Sequence, residues 1–255
     1  MKVSSPLVRS FSILLFLIAS FLICQSAALA QKRRPPRGGR IAVVVDERLS
    51  ALRESPELSG KLLQRISRGR LVAVRGERRT RAGIVFDRVN LTSRTWGWVQ
   101  RDALIALSRK GEDEKLLRLI RASEDFDRIA RAKIFLDSFP RSALRPAVLL
   151  LYGDTAEAAA GKLSRDASRR LPVDQLVSVG TPEFSYFLNY TGLDRYNRQG
   201  VRFVFDRENK RFHYDGASWS EITRRHPRSP EATEARKRLA GSGPGTAGVS
   251  LVNEP

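Results

Sequence analysis

The fold is decided by the apolar stretch Ile41-Ala42-Val43-Val44-Val45, which is rich in β-branched residues and stops at Asp46-Glu47. Short runs of this composition, bounded by turn residues, predict β-strands. Three more such runs follow before residue 105: Leu71-Val72-Ala73-Val74, residues 84–89 (IVFDRV) and Trp96-Gly97-Trp98-Val99. Strands this short and this closely spaced predict a small β-barrel over residues 41–106.

The apolar periodicity becomes helical from about Glu112 onward. Leu116, Leu117 and Ile120 are spaced for one face of a helix. The helix that follows them should end at Phe139-Pro140, because proline disfavours helical geometry in the residue before it. Further helices are predicted over residues 144–171, with a break near Gly161, and over residues 182–197, 218–225 and 230–240.

Alternation between apolar and charged residues returns at residues 201–205 and 211–214, and it predicts a short β-hairpin among the helices. The expected fold class is therefore α+β. A small β-barrel over residues 41–106 is followed by a mostly α-helical domain over residues 112–240, and the hairpin is an insertion in that domain.

Residues 1–30 have the three parts of a secretory signal peptide. Lys2 and Arg9 supply the positive start, residues 11–24 are nearly all apolar, and Ala28-Leu29-Ala30 offers the small residues that signal peptidase accepts. The apolar run is shorter than the roughly 20 residues that span a bilayer. Cleavage after Ala30 is therefore favoured over a membrane anchor, and we expect a periplasmic or envelope-associated protein without a transmembrane segment.

Two segments lack the pattern of a folded structure. Residues 31–40 (QKRRPPRGGR) are basic and rich in proline and glycine, so they predict a flexible linker after the cleavage site. Residues 241–255 have neither charge periodicity nor an apolar face, so they predict a disordered tail.

The chain has a net charge of +19, and its one cysteine, Cys24, lies in the predicted signal peptide. Disulfides are therefore not expected after cleavage. The charge would attract anionic envelope polymers, whereas nucleic acid is not an expected partner of an exported protein. Since most of the basic residues are arginines spread along the chain, the charge indicates either general surface basicity or a dedicated polyanion site.

We found no catalytic or cofactor-binding motif in the sequence. The mature chain would lack a cysteine nucleophile, and His213 and His226 are without metal-ligand spacing. We therefore expect no enzyme, no cofactor and no metal. Hydrolysis by carboxylates alone is the alternative, and Glu112-Asp113-Glu114 is an acidic cluster that could supply it. The same cluster is typical of favourable charge at a helix N-terminus.

Two tetrapeptides have similar composition and similar surroundings. Phe139-Pro140-Arg141-Ser142 and His226-Pro227-Arg228-Ser229 each separate two predicted helices. Internal similarity of this kind indicates a helical repeat. The alternative is that x-Pro-x-Ser ends and caps two unrelated helices.

Three stretches in the first half of the chain resemble the bacterial SH3-type domain family, over residues 49–104 in total. They are residues 49–56 (LSALRESP), residues 66–74 (ISRGRLVAV) and Gly97-Trp98-Val99 followed by Leu104. The resemblance implies a barrel in which Gly97 supplies a turn and Trp98 lies flat across the barrel. The long turn at residues 56–61 departs from the family pattern.

The two tetrapeptides and the helices after them resemble the tetratricopeptide-like repeats of envelope partner proteins. In that family a helix ending in aromatic-Pro-x-Ser precedes alanine-rich helices with a Leu-Gly pair. Here the first tetrapeptide leads to Ala147 and Leu151-Tyr152-Gly153, and the second leads to Glu231-Ala232 and Glu234-Ala235. Residues 173–215 do not fit this pattern.

The SH3-type resemblance implies a ligand groove lined by aromatic and loop residues. We expect Trp98 and Phe86 in the barrel core, because a small barrel has few other large side chains to fill it. Trp96 shares a face with Trp98 in a regular strand, whereas a bulge or turn at residues 95–97 would expose it. The candidate ligand-binding residues are Trp96 and the arginines around it, Arg78, Arg79, Arg81 and Arg94.

The sequence thus predicts an exported, non-enzymatic binding or adaptor protein of the cell envelope. Its SH3-like domain would bind peptidoglycan or a protein segment, and its helical region would dock a partner. The alternatives are a carboxylate-dependent cell-wall hydrolase and a general polyanion-binding envelope protein.

Overall fold

The structure, a computed structural model, describes residues 38–170, 192–206, 208–209 and 211–241. The predicted signal peptide lies outside these residues, as do most of the predicted linker, much of the helix expected at 182–197 and nearly all of the predicted tail. The linker prediction is wrong at its last residue, because Arg40 already belongs to the first strand.

Seven antiparallel strands form one sheet in the first part of the chain, and a 3-10 turn at Arg101–Ala103 joins the last two. The sheet order is β3-β2-β6-β5-β4-β1-β7, and the described residues show no pairing between the end strands β3 and β7. The closed barrel therefore stays a prediction. The strands are β1 (Arg40–Val44), β2 (Ala51–Arg53), β3 (Leu62–Arg65), β4 (Leu71–Arg79), β5 (Val85–Asn90), β6 (Trp96–Gln100) and β7 (Leu104–Ala106).

The second part of the chain is mainly helical, which confirms the α+β class. The predicted hairpin is present, and the predicted break near Gly161 is wrong because the long helix continues through it. The elements are α1 (Glu112–Arg121), α2 (Asp125–Ser138), α3 (Arg145–Arg170), α4 (Leu193–Asn197), β8 (Phe203–Asp206), β9 (Arg211–Tyr214), α5 (Ala217–Arg225) and α6 (Pro230–Gly241).

Strand β1 is buried on both faces. Ala42 and Val44 belong to an apolar cluster formed by the residues of the sheet itself. Val43 and Val45 belong to a second cluster, which continues into the helices. Successive side chains of a strand point to opposite faces, so an unbroken β-branched run is what a strand between two apolar layers requires.

Polar contacts join the sheet to α2 beside this strand. Arg131 of α2 donates hydrogen bonds to the Val45 carbonyl oxygen (3.2 Å) and to Asp46 Oδ2 (2.8 Å). Arg68, in the turn between β3 and β4, forms an ion pair of 2.9 Å with Asp127 of α2. Both arginine side chains are largely buried, so the contacts lie in the interface between the sheet and the helix.

The two similar tetrapeptides adopt the same turn. Phe139 has φ −124° and ψ 59°, and His226 has φ −132° and ψ 48°. Each of these two residues donates its N–H at 2.8 Å to the carbonyl oxygen four residues earlier. Each also accepts a hydrogen bond from the N–H of the serine three residues later. The units α2–turn–α3 and α5–turn–α6 are therefore alike in structure as well as in sequence.

The β8–β9 hairpin packs on α3 through side-chain hydrogen bonds. Ser164 Oγ accepts the Phe212 N–H at 2.8 Å, and Glu157 Oε2 accepts the Tyr214 N–H at 2.7 Å. His213 Nδ1 lies 3.0 Å from Glu157 Oε1. Two side chains of one helix thus satisfy the backbone donors that β9 would otherwise leave unpaired at its edge.

Gly153 in the middle of α3 allows α5 to approach closely. A Cβ atom at this position would lie 2.8 Å from Cε2 of the buried Trp219, and closer still to its Nε1. At Gly161, in the same helix, the nearest atom to an added Cβ is the flexible Arg165 Nη1 at 3.5 Å. The two glycines therefore differ in packing but share a helical backbone.

We expect Gly153→Ala to lower the free energy of unfolding by about 1–3 kcal/mol, because the added methyl overpacks the α3–α5 contact. Gly161→Ala should instead raise it by about 0.5–1 kcal/mol, because alanine loses less backbone entropy in a helix. Urea unfolding followed by circular dichroism measures both values. Equal effects at the two positions would show that the α3–α5 contact does not depend on glycine.

Candidate functional site

Strand register brings two tryptophans and two arginines onto one face of the sheet. Arg53 in β2 lies opposite Trp98 in β6, and Trp98 lies opposite Arg88 in β5. Trp96 lies opposite Asn90 in the same β5–β6 pairing. Directly opposed residues of antiparallel strands point to the same side. We call the surface formed by Arg53, Arg88, Trp96 and Trp98 the Trp96 face.

Trp96 is more exposed than Trp98, the other tryptophan of this face. It is 48% exposed, and the Arg88 guanidinium carbon lies 4.4 Å from the centre of its ring. The electrons of an indole ring attract a cation that lies over the ring. This cation–π interaction contributes about 0.5–1 kcal/mol at exposed sites. The sequence candidates did not include Arg88. Strand alternation could not have found it, because Arg88 shares its side of β5 with the buried Phe86, and the charged Asp87 on the other side is buried as well.

Trp98 does not lie in the core, so that prediction is wrong. It is half-buried on the Trp96 face, while Gly97 and Val99 on either side of it point to the interior. Trp96 shares its face in a regular strand, as one reading of the sequence predicted, and the β5–β6 register contains no bulge. Phe86 is fully buried, but it does not belong to the apolar cluster within the sheet, so its place in a barrel core stays a prediction.

Gly97 is required by close packing of strands rather than by a turn. The SH3-type resemblance implies a turn here, but Gly97 lies within β6 and has no positive φ. A Cβ atom at Gly97 would lie 2.6 Å from the Arg53 carbonyl oxygen and 2.9 Å from the Leu52 side chain. The absence of a side chain therefore allows β2 to pair with β6, which places Arg53 beside Trp98.

The register places one of the four predicted arginines on the Trp96 face. Arg78 lies opposite Phe86, two positions along β5 from Arg88, and points to the same side. Arg79 is the next residue of β4 and points to the other side. All four predicted arginines are exposed, and the remaining two lie in the β4–β5 and β5–β6 turns: Arg81 and Arg94.

Acidic residues near these strands are held by another arginine. Arg101 forms ion pairs with Glu77 and with the buried Asp87. Its hydrogen bond and charge lower the pKa of Glu77, and the bond to Asp87 raises the pKa of Arg101. Within the part of the chain that the structure describes, neither Arg88 nor any of the four predicted arginines forms an ion pair. The Trp96 face therefore keeps the positive charge of Arg78 and Arg88.

A cleft of about 460 Å³ lies between the turns of the sheet and α2. Two of the acidic residues that line the cleft form ion pairs with basic residues of the same cleft, Asp127 with Arg68 and Asp137 with Lys133. Its charges therefore largely cancel. The cleft is lined by Glu47, Arg68, Gly69, Phe126, Asp127, Ala130, Lys133, Ile134, Asp137, Arg198 and Gln199.

The acidic cluster at residues 112–114 lies at the start of α1. Glu112 Oε2 accepts the Ala106 N–H at 3.3 Å, and Asp113 Oδ2 accepts the Ser142 hydroxyl at 2.7 Å. These contacts agree with the helix N-terminus interpretation. Over residues 38–170, 192–206, 208–209 and 211–241, no group of three or more His, Cys, Asp or Glu side chains is placed to hold a metal ion.

No protein-family model matches this chain. Neither a curated protein nor a solved structure is significantly similar to it. None of the helices in the described ranges has both the length and the hydropathy needed to cross a bilayer. The interpretation of the Trp96 face therefore depends on its own geometry and charge.

We expect Gly97→Ala to destabilise the protein by about 1–3 kcal/mol and to change the surroundings of Trp96 and Trp98, because the new methyl pushes β2 away from β6. Gly76→Ala in β4 is the matched control, since nothing lies within 4 Å of an added Cβ there. Thermal unfolding gives the stability of both variants, and tryptophan fluorescence reports the surroundings of Trp96 and Trp98. An unchanged spectrum in Gly97→Ala would contradict this role of Gly97.

Proposed function

We propose that this chain is an exported, non-enzymatic adaptor protein of the cell envelope, which binds its ligand through the Trp96 face. The observation that carries the proposal is the exposed Trp96 beneath Arg88, on a face where Arg53, Arg78 and Arg88 form no ion pair with any described residue. Exposed aromatic and arginine side chains are the residue types that contribute most to binding surfaces.

The ligand would be peptidoglycan or a protein segment. An indole ring packs against the apolar face of a sugar ring or of a peptide, and guanidinium groups bind carboxylates with two parallel hydrogen bonds. Peptidoglycan offers both features, since its glycan chains carry peptides with free carboxylates. An acidic protein segment offers them as well.

The finer assignment of the two regions is part of the same proposal. Short antiparallel strands in sequence, with a 3-10 turn before the last, support an SH3-like barrel of the bacterial SH3-type family. The two equivalent helix–turn–helix units support a tetratricopeptide-like region. Arg145 joins these units, because it binds Glu221 at 2.8 Å and the Leu136 carbonyl oxygen at 2.9 Å. A rigid array of helices of this kind is suited to docking a partner protein.

General polyanion binding is the second candidate, and the exposed arginines favour it. It differs from the first proposal in its salt dependence, because screening weakens contacts between exposed charges. The carboxylate-dependent hydrolase has less support. Glu112, Asp113, Asp127 and Asp137 are all engaged in hydrogen bonds or ion pairs with the protein itself.

We expect Trp96→Ala to reduce retention on purified peptidoglycan or on isolated envelope proteins by about tenfold or more, the loss typical of a central aromatic contact. Arg88→Ala should reduce retention about two- to fivefold, since it removes the cation above the ring. Sedimentation of residues 31–255 with the insoluble fraction measures both effects.

Arg224→Ala in α5 is the control for charge, because it removes an exposed arginine that belongs to a helix and not to the sheet. It should leave retention unchanged. Retention that is insensitive to Trp96→Ala, or an absence of retention by wall and envelope proteins alike, would refute the proposed site. Retention that collapses with salt and falls equally in Arg88→Ala and Arg224→Ala would support the polyanion candidate instead.

A further inference from the structure

Four large apolar side chains are exposed among the described residues, and three of them belong to the sheet strands β3 and β6. They are Leu58 (52% exposed), Leu62 (46%), Leu63 (46%) and Trp96 (48%). Leu58 lies in the turn before β3, and the next two residues belong to β3 itself. A single exposed leucine in a turn needs no explanation, whereas the two neighbouring exposed leucines of β3 indicate an interaction surface.

Leu62 extends the Trp96 face to the edge of the sheet. It lies opposite Arg53, which lies opposite Trp98, which in turn lies opposite Arg88. The four side chains form one row across strands β3, β2, β6 and β5. Arg53 also holds the turn before β3 in place, because its Nη1 donates to the Gly60 carbonyl oxygen at 2.8 Å.

Strand β3 is an end strand, and all four of its residues are exposed. The other end strand, β7, contains the buried Leu104 and Ile105 and contacts α1. In β9, the backbone N–H groups of Phe212 and Tyr214 are bonded by side chains of α3. No comparable cover lies over β3 within the described ranges. Its outer N–H and C=O groups are therefore open to a further strand.

We propose that β3 binds an extended protein segment as an additional strand, with acidic residues at both ends of that segment. The inference rests on the proposed binding function and specifies its partner. A backbone that pairs with β3 must itself carry amides, which favours a polypeptide over a glycan. Lys61 and Arg65 flank the leucines, are exposed, and form no ion pair with any described residue. Carboxylates opposite them would supply the missing partners.

A second copy of this chain fits the edge poorly. In an antiparallel pairing of β3 with the β3 of another copy, Lys61 of one copy would lie opposite Arg65 of the other or next to it. Like charges at these positions destabilise a strand pair.

The bound protein segment would be short, because β3 has four residues and Leu63 is an extra residue at the register shift between β2 and β3. Its apolar side chains would cover Leu62 and Leu63.

The test uses the full chain without residues 1–30 and three synthetic peptides. The probe is acetyl-Asp-Glu-Val-Thr-Val-Thr-Glu-Asp-amide. The second peptide has lysines in place of all its acids, and the third keeps the side chains but carries N-methyl groups on alternate amides. Fluorescence anisotropy measures binding, and hydrogen exchange of the residue 62–65 amides reports strand pairing. We expect the lysine and N-methyl peptides to bind about tenfold more weakly than the probe.

The double variant Leu62→Ser with Leu63→Ser should lose most of the binding, and Leu58→Ser, which removes an equally exposed leucine outside the strand, should retain it. Unchanged affinity of the N-methyl peptide, no added protection of residues 62–65, or no binding of the probe would each overturn the inference. Retention on the cell wall that depends on Trp96, without probe binding, would leave the proposed function intact and remove only this partner. Probe binding without retention by wall or envelope proteins would support strand pairing at β3 and refute the proposed envelope function.

Discussion

The structure depends on the burial of β1 between two apolar layers. Ala42 and Val44 pack within the sheet, while Val43 and Val45 pack against the helices. Each layer thus includes side chains from the same strand, so the sheet and the helices share one backbone segment. Arg131 adds polar contacts at the end of this strand, where it binds the Val45 carbonyl oxygen and Asp46. A strand with one polar face would leave the helices without this support.

Close backbone approach is the second condition, and it depends on two glycines. Gly153 brings the buried Trp219 of α5 against α3, and Gly97 brings β2 against β6. Both glycines have ordinary φ angles, so the requirement is space rather than backbone freedom. The first contact holds the second helix–turn–helix unit on the first. The second contact determines which residues stand beside Trp98, and so it shapes the Trp96 face.

The arginines that give the chain its positive charge have two different roles in the structure. Arg68, Arg101, Arg131 and Arg145 are partly or largely buried and hold turns, strands and helices together. The arginines of β4, β5 and their turns stay exposed, and Arg88 covers the ring of Trp96. The composition alone could not separate the two roles, because an arginine that pairs across the fold and one that faces solvent look alike in the sequence. Only the positions of the acidic partners separate them.

The sequence by itself determined the α+β class, most helices, the hairpin and the two equivalent turns, because periodicity, proline and x-Pro-x-Ser act over a few neighbouring residues. The exposure of Trp96 was open between two readings, and the core position of Trp98 and the break at Gly161 were wrong. Pairing register, strand edges and the partner of each arginine were decided only by the tertiary structure. They depend on residues far apart in the chain, such as Arg53 and Trp98, and no local pattern records which strands become neighbours.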